Sequence, residues 1–281
     1  MNPLAEKLLR KSALPNIYCP GCGHGTVLNS FLRAVDKLGI YQNMALVGGI
    51  GCSGWTPVFI KADTIHALHG RAIAVATGLK LAQPDRKVVV FAGDGDCMAI
   101  GGNHFIHAAR RNIDLTVVMM NNNIYGMTGG QVSPTTPNQA HTQTSPLGNP
   151  EQPFDACELA RAAGATYIAR WTSAQPARMA KAMQEAIEHK GFSFVEIVVQ
   201  CPTQAGRYMY GTGSAAKLYQ MLKANSVRAS RAVELSPEEM AGKIVVGRLL
   251  ERTDRREFTE VLYSLGTAKG ESDLEANRNR H

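Results

Sequence analysis

Five short β-branched runs alternate with helical stretches along most of the chain, and that rhythm leaves few architectures open. The runs are "MALVGGI" (44–50), "KVVVFAG" (87–93), "DLTVVMMN" (114–121), "ATYIA" (165–169) and "FSFVEIVVQ" (192–200), each bounded by Gly, Asp or Asn. They are apolar almost throughout rather than alternating, the mark of strands buried on both faces. Between them lie the helical patterns "HALHGRAIAVATGLKLAQ" from 66, "GGNHFIHAARRN" from 101, "FDACELARAAG" from 154 and "SAQPARMAKAMQEAIEHK" from 173. Repeated strand and helix predict an α/β fold: a doubly wound, mostly parallel sheet with right-handed crossovers.

Residues 126–153, "GMTGGQVSPTTPNQAHTQTSPLGNPEQP", interrupt the rhythm with a Gly-, Pro-, Ser- and Thr-rich segment too long for an ordinary connection. Such a loop is functional or disordered. From about 207 the chain changes to helical stretches near "GSAAKLYQMLKAN" and "SPEEMAGKIVVGRLLE", where Ser236, Pro237 and Glu239 read as N-cap, N1 and an acid at N3. The expected division is therefore an α/β domain over 1–206 and a helical C-terminal extension and tail over 207–281, fraying after about 268.

The 281 residues, 44% hydrophobic, can bury a sizeable core. Met1 opens directly on "NPLAEKLLRKS", without the basic and apolar regions of a secretory signal, and runs such as "VVVFAG" and "LTVVMM" are too short to span a bilayer. The expectation is a cytoplasmic protein with no membrane partner. The net charge of +7 is spread along the chain with no basic stripe, which argues against nucleic acid and suits, at most, steering toward an acidic protein.

In a reducing compartment, Cys19, Cys22, Cys52, Cys97, Cys157 and Cys201 point to metal or catalytic roles rather than disulfides. Cys19 and Cys22 precede the first strand in "YCPGCGHG", Cys52 follows it in "GGIGCSGW", and Cys201 ends the last run in "VQCPTQAGR". A parallel sheet can gather these four at one edge, where they suit a zinc ion or an iron-sulfur cube equally. A thioredoxin-like dithiol would need a strand before Tyr18, and covalent heme attachment would need a histidine where Gly23 stands. Cys97 and Cys157 lie in or beside helical patterns and read as small buried apolar side chains.

The sharpest chemical signal is "AGDGDCMAIGG" (92–102) followed by "MMNNNIYGMTGG" (119–130), each beginning where a strand ends. Gly93 and Gly95 let a phosphate approach the backbone, and Asp94 is a hard oxygen ligand of the kind Mg²⁺ selects. Twenty-eight positions later Asn122 offers an amide oxygen, and the Ile124 carbonyl a third ligand. Gly-x-Gly-x-x-Gly fails here because position 98 is Met, so a nicotinamide site is disfavoured. The spaced Gly-Asp-Gly and Asn-Asn resemble the thiamine diphosphate fingerprint.

Taken together, "CPGCGHG", "GIGCSGW", "LHGRAIAVATGLKLA", "GDGDCMAIGGNHFIHAARRN", "NNNIYGMTGGQVSPTTP" and "GFSFVEIVVQCPT", in that order, resemble the β subunit of the 2-oxoacid:ferredoxin oxidoreductases from about residue 15 to about 265. The resemblance implies a thiamine diphosphate pyrophosphate-binding domain. It implies a [4Fe-4S] cluster on Cys19, Cys22, Cys52 and Cys201, and Mg²⁺ on Asp94, Asn122 and the Ile124 carbonyl. It implies cofactor contacts from Ile50, Gly51, Cys52, Ser53, His69, Gly95, Asp96, Gly126 and Met127. The activity implied is oxidative decarboxylation of a 2-oxoacid, with coenzyme A taking the acyl group and ferredoxin, or a ferredoxin-like subunit, the electrons. The long loop would then lie beside the cofactor and face a partner subunit.

No glutamate for the aminopyrimidine ring is assigned on this chain; the family supplies it from a pyrimidine-binding domain on the α subunit, so activity would need that partner. "CPTQAGR" and the C-terminal extension look most like the 2-oxoglutarate type, with pyruvate and branched-chain 2-oxoacid members as close relatives, and Arg207 is a candidate for a distal carboxylate. His24, His66 and Trp55 are further candidates near cluster or substrate, with packing the plainer role for His66. Two rivals stand: a non-redox thiamine lyase or decarboxylase subunit, with no use for four placed thiols, and a zinc-stabilised assembly subunit.

Overall fold

The apolar runs become the inner strands of an eight-stranded sheet, seen in a computed structural model that describes residues 3–266. The fraying expected after about 268 falls outside the described residues. In chain order, α1 (Pro3–Leu8) and α2 (Gly23–Leu38) lead into β1 (Met44–Gly48), β2 (Asp63–His66), α3 (Ala72–Ala82), β3 (Lys87–Gly93), α4 (Gly102–Arg111) and β4 (Thr116–Asn121). After the long loop come α5 (Ala156–Ala163), β5 (Tyr167–Thr172), α6 (Pro176–Glu188) and β6 (Ser193–Val198). The extension holds α7 (Ala205–Tyr210), α8 (Ala215–Asn225), β7 (Ser226–Arg228), α9 (Ala229–Ala232), α10 (Pro237–Met240) and β8 (Ile244–Glu251), and residues 258–266 are helical.

The strand order is β2-β1-β3-β4-β6-β5-β8-β7, parallel from β2 through β5 and antiparallel only where β8 joins β5. Alternate residues of each inner strand feed opposite layers, as the two-residue period of a strand requires. Val89 and Phe91 pack with Phe31, Leu32 and Val35 of α2 and Met179 and Met183 of α6. Val88 and Val90 pack with Ile73 of α3, Phe105 of α4 and Ala160 of α5. Helices thus cover both faces, the doubly wound arrangement. Among the described residues, no helix is long and apolar enough to cross a membrane.

One helix joins those expected from the sequence, and two local readings change. Helix α2 opens at Cys22, its N-cap, and ends on Gly39 at φ 66, with Val27, Leu28, Phe31, Leu32 and Val35 forming its buried stripe. The helical pattern from 66 begins only at Ala72, because His66 closes β2 and Gly70 turns at φ 68. In "SPEEMAGKIVVGRLLE" the Ser236–Glu239 capping box forms, but its helix stops at Met240; residues from Ile244 become β8. There the β-branched "IVV" pairs in parallel with β7, and the following residues, Gly247 to Glu251, take the free backbone edge of β5. The extension is therefore helical with a strand pair woven into it.

Candidate functional site

Strand β1 pairs with β2 on one side and β3 on the other, so successive crossovers diverge and a crevice opens beyond their carboxyl ends. The register sets Gly93 opposite Met120 and Asn121 opposite Val198, which brings the residues just past β3, β4 and β6 to one edge. Past β3 the chain winds a π-helical turn, Gly95–Ile100, directly into α4; Gly101 N–H donates to the Asp96 carbonyl at 3.1 Å. Such turns recur at functional sites because they re-aim backbone within a helix.

Asp94 is 2% exposed, and its Oδ2 accepts from Ser133 Oγ at 2.5 Å and Thr135 Oγ1 at 2.7 Å. Burial raises its pKa and those two hydroxyls pull it back. On the other side, the Asn122 amide oxygen faces two more acceptors, Asp94 Oδ1 at 3.0 Å and the Ile124 carbonyl at 2.7 Å. Either the amide turns so that its NH₂ donates to both, or a cation sits among three oxygens. Two neutral oxygens and one carboxylate suit Mg²⁺, which takes few protein ligands and completes its octahedron with phosphate and water.

These groups line a cavity of about 140 Å³. Ile50, Gly51, Cys52 and Ser53 border it from the loop after β1, His69 from the turn before α3, Gly95 and Asp96 from the π turn, and Gly126 and Met127 from the loop after β4. Every residue assigned to the cofactor or Mg²⁺ is thus brought to one place. A larger cavity, about 680 Å³, lies against the extension and reaches Asn122 and Cys201.

The four thiols gather beside it. Cys22 N–H donates to the Cys19 carbonyl at 2.9 Å, closing the turn that starts α2. Burial, reinforced by Cys201, Cys52 and Cys19, pushes Cys22 up to about 12, and burial with Cys201 and Cys19 pushes Cys52 up to about 11. Thiols in this setting keep their protons at neutral pH unless a metal centre takes them as thiolates. A Cβ on Gly126 would lie 3.1 Å from the Asn122 amide and 3.6 Å from Cys201 Sγ, so the thiols and the oxygen ligands share a wall. Among the described residues, no three His, Cys, Asp or Glu side chains stand close enough to hold one metal ion. A cube with iron at several corners spreads its thiolates wider than a tetrahedral zinc does.

The sequence pattern of the thiamine pyrophosphate enzymes' C-terminal TPP-binding domain matches residues 49–197. The 2-oxoglutarate synthase subunit KorB of Methanocaldococcus jannaschii is 51% identical over 94% of this chain and 97% of its own length. The chain belongs to the β-subunit family of the 2-oxoacid:ferredoxin oxidoreductases. The 2-oxoacid:ferredoxin oxidoreductase 2 subunit beta of Aeropyrum pernix is 46% identical over 66% of this chain and 60% of its own. A solved structure, the 2-oxoglutarate:ferredoxin oxidoreductase from Magnetococcus marinus with 2-oxoglutarate, coenzyme A and succinyl-CoA bound, superposes with a TM-score of 0.84 at 36% identity, covering 95% of this chain and 90% of that one.

Within this β-subunit fold, Ser133, Thr135 and Tyr125 stand at the site without a sequence signal of their own, and His24, a candidate from the sequence, joins them. Ser133 and Thr135 lie in the long loop, where a hydroxyl run reads as ordinary turn chemistry. The Tyr125 hydroxyl donates to the Gly95 carbonyl at 3.0 Å, and a Cβ on Gly95 would strike its ring at 2.3 Å. His24 is buried, with Nδ1 3.1 Å from Cys22 Sγ and Nε2 3.0 Å from Ser53 Oγ; burial lowers its pKa to about 4, so it is neutral and has one N–H to share between them. The other candidates are not drawn in: Trp55 and His66 pack edge to face at 5.9 Å, and Arg207 is exposed on α7; none of the three lines either cavity.

One buried carboxylate ties the loops together. Asp96 Oδ1 accepts from Gly70 N–H at 2.7 Å and pairs with His69 Nδ1 at 2.5 Å, while its Oδ2 lies 1.7 Å from where a Cβ on Gly49 would stand. Gly49→Ala must therefore displace Asp96. It is expected to cost about 1–3 kcal/mol of stability, the range for overpacking, and to weaken thiamine diphosphate retention, read as a lower Tm and less cofactor after desalting. Unchanged values for both would remove the tie.

Proposed function

We propose that this chain is the cofactor-bearing β subunit of a 2-oxoglutarate:ferredoxin oxidoreductase, converting 2-oxoglutarate and coenzyme A to succinyl-CoA and carbon dioxide while two electrons leave singly through a [4Fe-4S] cluster to ferredoxin. The observation that carries this is the wall at Gly126, where the Asn122 amide and the Cys201 thiol stand within contact of one backbone position. Electrons released at a diphosphate-anchored cofactor have a short path to a cluster held there. A non-redox thiamine lyase has no use for that adjacency.

In this reading Asp94, Asn122 and the Ile124 carbonyl hold Mg²⁺ and through it the diphosphate, and Cys19, Cys22, Cys52 and Cys201 hold the cluster. Thiamine diphosphate, when bound, supplies the carbon nucleophile and the electron sink for decarboxylation. Gly93 keeps the backbone clear for the phosphates and Gly95 makes room for the Tyr125 ring, with Asp96 bracing the loops around them. Ile50 and Met127, 39% and 46% exposed, stand at the cavity edge, and Leu68 and Ile100 are exposed nearby in sequence to His69 and Gly101. A cavity of about 140 Å³ is below the roughly 300–1,000 Å³ of a complete ligand pocket. The rest of the cofactor then projects into an α subunit, whose pyrimidine-binding domain brings the activating glutamate. The +7 charge favours encounter with an acidic ferredoxin.

The preference for 2-oxoglutarate draws support from KorB relatives that match over most of their length, including one from Methanothermobacter thermautotrophicus at 46% identity over 98% of this chain and 96% of its own. The test is the complex copurified anaerobically with its partner chains and assayed for coenzyme A-dependent ferredoxin reduction with 2-oxoglutarate, pyruvate and a branched-chain 2-oxoacid. Turnover highest on 2-oxoglutarate, with iron and acid-labile sulfide in equal amounts, is expected. Preference for another acid would overturn the substrate, and zinc without sulfide the redox reading.

A further inference from the structure

The long loop does more than border the cofactor cavity. Asp94 carries two carboxylate oxygens, and they meet opposite surroundings. Oδ1 faces the Asn122 amide and the Ile124 carbonyl, whereas Oδ2 accepts from Ser133 Oγ at 2.5 Å and Thr135 Oγ1 at 2.7 Å. Both hydroxyls belong to buried residues, at 2% and 4% exposure.

Each hydroxyl has one proton, so its destination has to be settled. Thr135 Oγ1 also lies 3.0 Å from Asn121 Oδ1, which already accepts from Asn123 N–H at 2.9 Å. The shorter contact to a charged acceptor takes the proton, and Asp94 keeps it. Asn121 cannot turn to change this, because its amide nitrogen donates to Glu196 Oε1 at 2.8 Å. Glu196 is in turn held by the Arg170 guanidinium, whose Nε donates to Oε2 at 2.5 Å. The loop is pinned from the other side as well: Ser133 N–H donates to Thr136 Oγ1 at 2.8 Å, and Thr136 Oγ1 donates to the Asn123 carbonyl at 2.6 Å.

We infer that Ser133 and Thr135 are positioning residues that occupy one oxygen of Asp94, so that it meets its cation through the other oxygen alone and the site selects Mg²⁺ over Ca²⁺. Mg²⁺ demands a near-ideal octahedron of single-oxygen ligands, while Ca²⁺ accepts a carboxylate through both oxygens and a higher coordination number. Freeing Oδ2 would let Asp94 swing to two-oxygen binding, which the larger ion tolerates and the smaller does not. This rests on the Mg²⁺ reading of the site proposed above.

The experiment uses the assembled enzyme with thiamine diphosphate, and titrates Mg²⁺ and Ca²⁺ separately against bound Mn²⁺ followed by electron paramagnetic resonance. Wild type, Ser133→Ala, Thr135→Val and Thr135→Ser are compared. Loss of an outer hydrogen-bond partner costs roughly 10- to 100-fold in metal affinity. That loss is expected for Mg²⁺ in the Ala and Val variants, with a clearly smaller loss for Ca²⁺, and with selectivity retained in Thr135→Ser, which keeps the hydroxyl. Equal losses for both ions, or no loss in either variant, would overturn the clamp while leaving the Mg²⁺ site standing. Wild-type enzyme that binds thiamine diphosphate without any divalent cation would overturn the Mg²⁺ reading itself and the clamp with it. Should Thr135→Val fail to fold, Ser133→Ala carries the same comparison.

Discussion

Asp94→Ala is expected to lower cation-dependent thiamine diphosphate binding by roughly a thousandfold, about 4 kcal/mol, and to abolish turnover. The size follows from the ligand set. Of the three oxygens that converge, the Asn122 amide and the Ile124 carbonyl are neutral, so Asp94 brings the set's formal charge. Removing it leaves a dication facing two dipoles and a diphosphate in a buried site, where each lost Coulomb interaction is poorly replaced by water. The variant should fold: it deletes a buried carboxylate whose partners, the Ser133 and Thr135 hydroxyls, lie 3.2 Å apart and can bond each other. Cofactor retained after gel filtration in Mg²⁺ is the measurement, with Tm alongside. Wild-type retention in a folded Asp94→Ala protein would sink the assignment.

Cys19→Ala and Cys22→Ala are each expected to abolish electron transfer to ferredoxin and to strip most of the iron and acid-labile sulfide, with thiamine diphosphate still bound. Neither side chain belongs to the apolar core, and Cys22 contributes only its contact with His24 Nδ1. Cys19 is exposed, and Cys22 makes no side-chain capping bond at the start of α2, so Ala there forfeits no cap. Asp94, Asn122 and Ile124, the residues proposed to hold Mg²⁺, sit on other loops, so the two losses separate. Ferredoxin reduction at the wild-type rate in either variant would refute the cluster.

Much of this could be read from the chain because its signals are local. Near-continuous apolar runs such as Val88 to Ala92 require burial on both faces, and their alternation with helices specifies the doubly wound sheet. Gly93-Asp94-Gly95 and Asn121-Asn122 stand out as a spaced pair at successive strand ends, since Gly-Asp-Gly alone serves many ordinary turns. Elsewhere local signals misled. Ile244 to Glu251 carries an apolar pattern that suits helix or strand, and only the backbone edges of β7 and β5, which it meets in turn, decide between them. Helix α2 starts directly on the cysteine motif, with Cys22 as its N-cap, so a metal-like spacing and an amphipathic stripe from Val27 to Val35 overlap in one segment.

From its own residues, then, the sequence determines the strand and helix rhythm and singles out Asp94, Asn122 and four cysteines as candidates, since these rest on residue type and short spacing. Which groups touch was decided by the tertiary structure. Ser133 and Thr135 stand 39 and 41 positions from Asp94, and Glu196 stands 75 from Asn121. Cys201 comes to the wall at Gly126 only because β6 lies beside β4 with Val198 opposite Asn121. The physical reason is that sheet register, not sequence distance, sets which strand ends are neighbours. Neither a buried hydroxyl on a carboxylate nor a thiol beside an amide leaves any mark in composition or period.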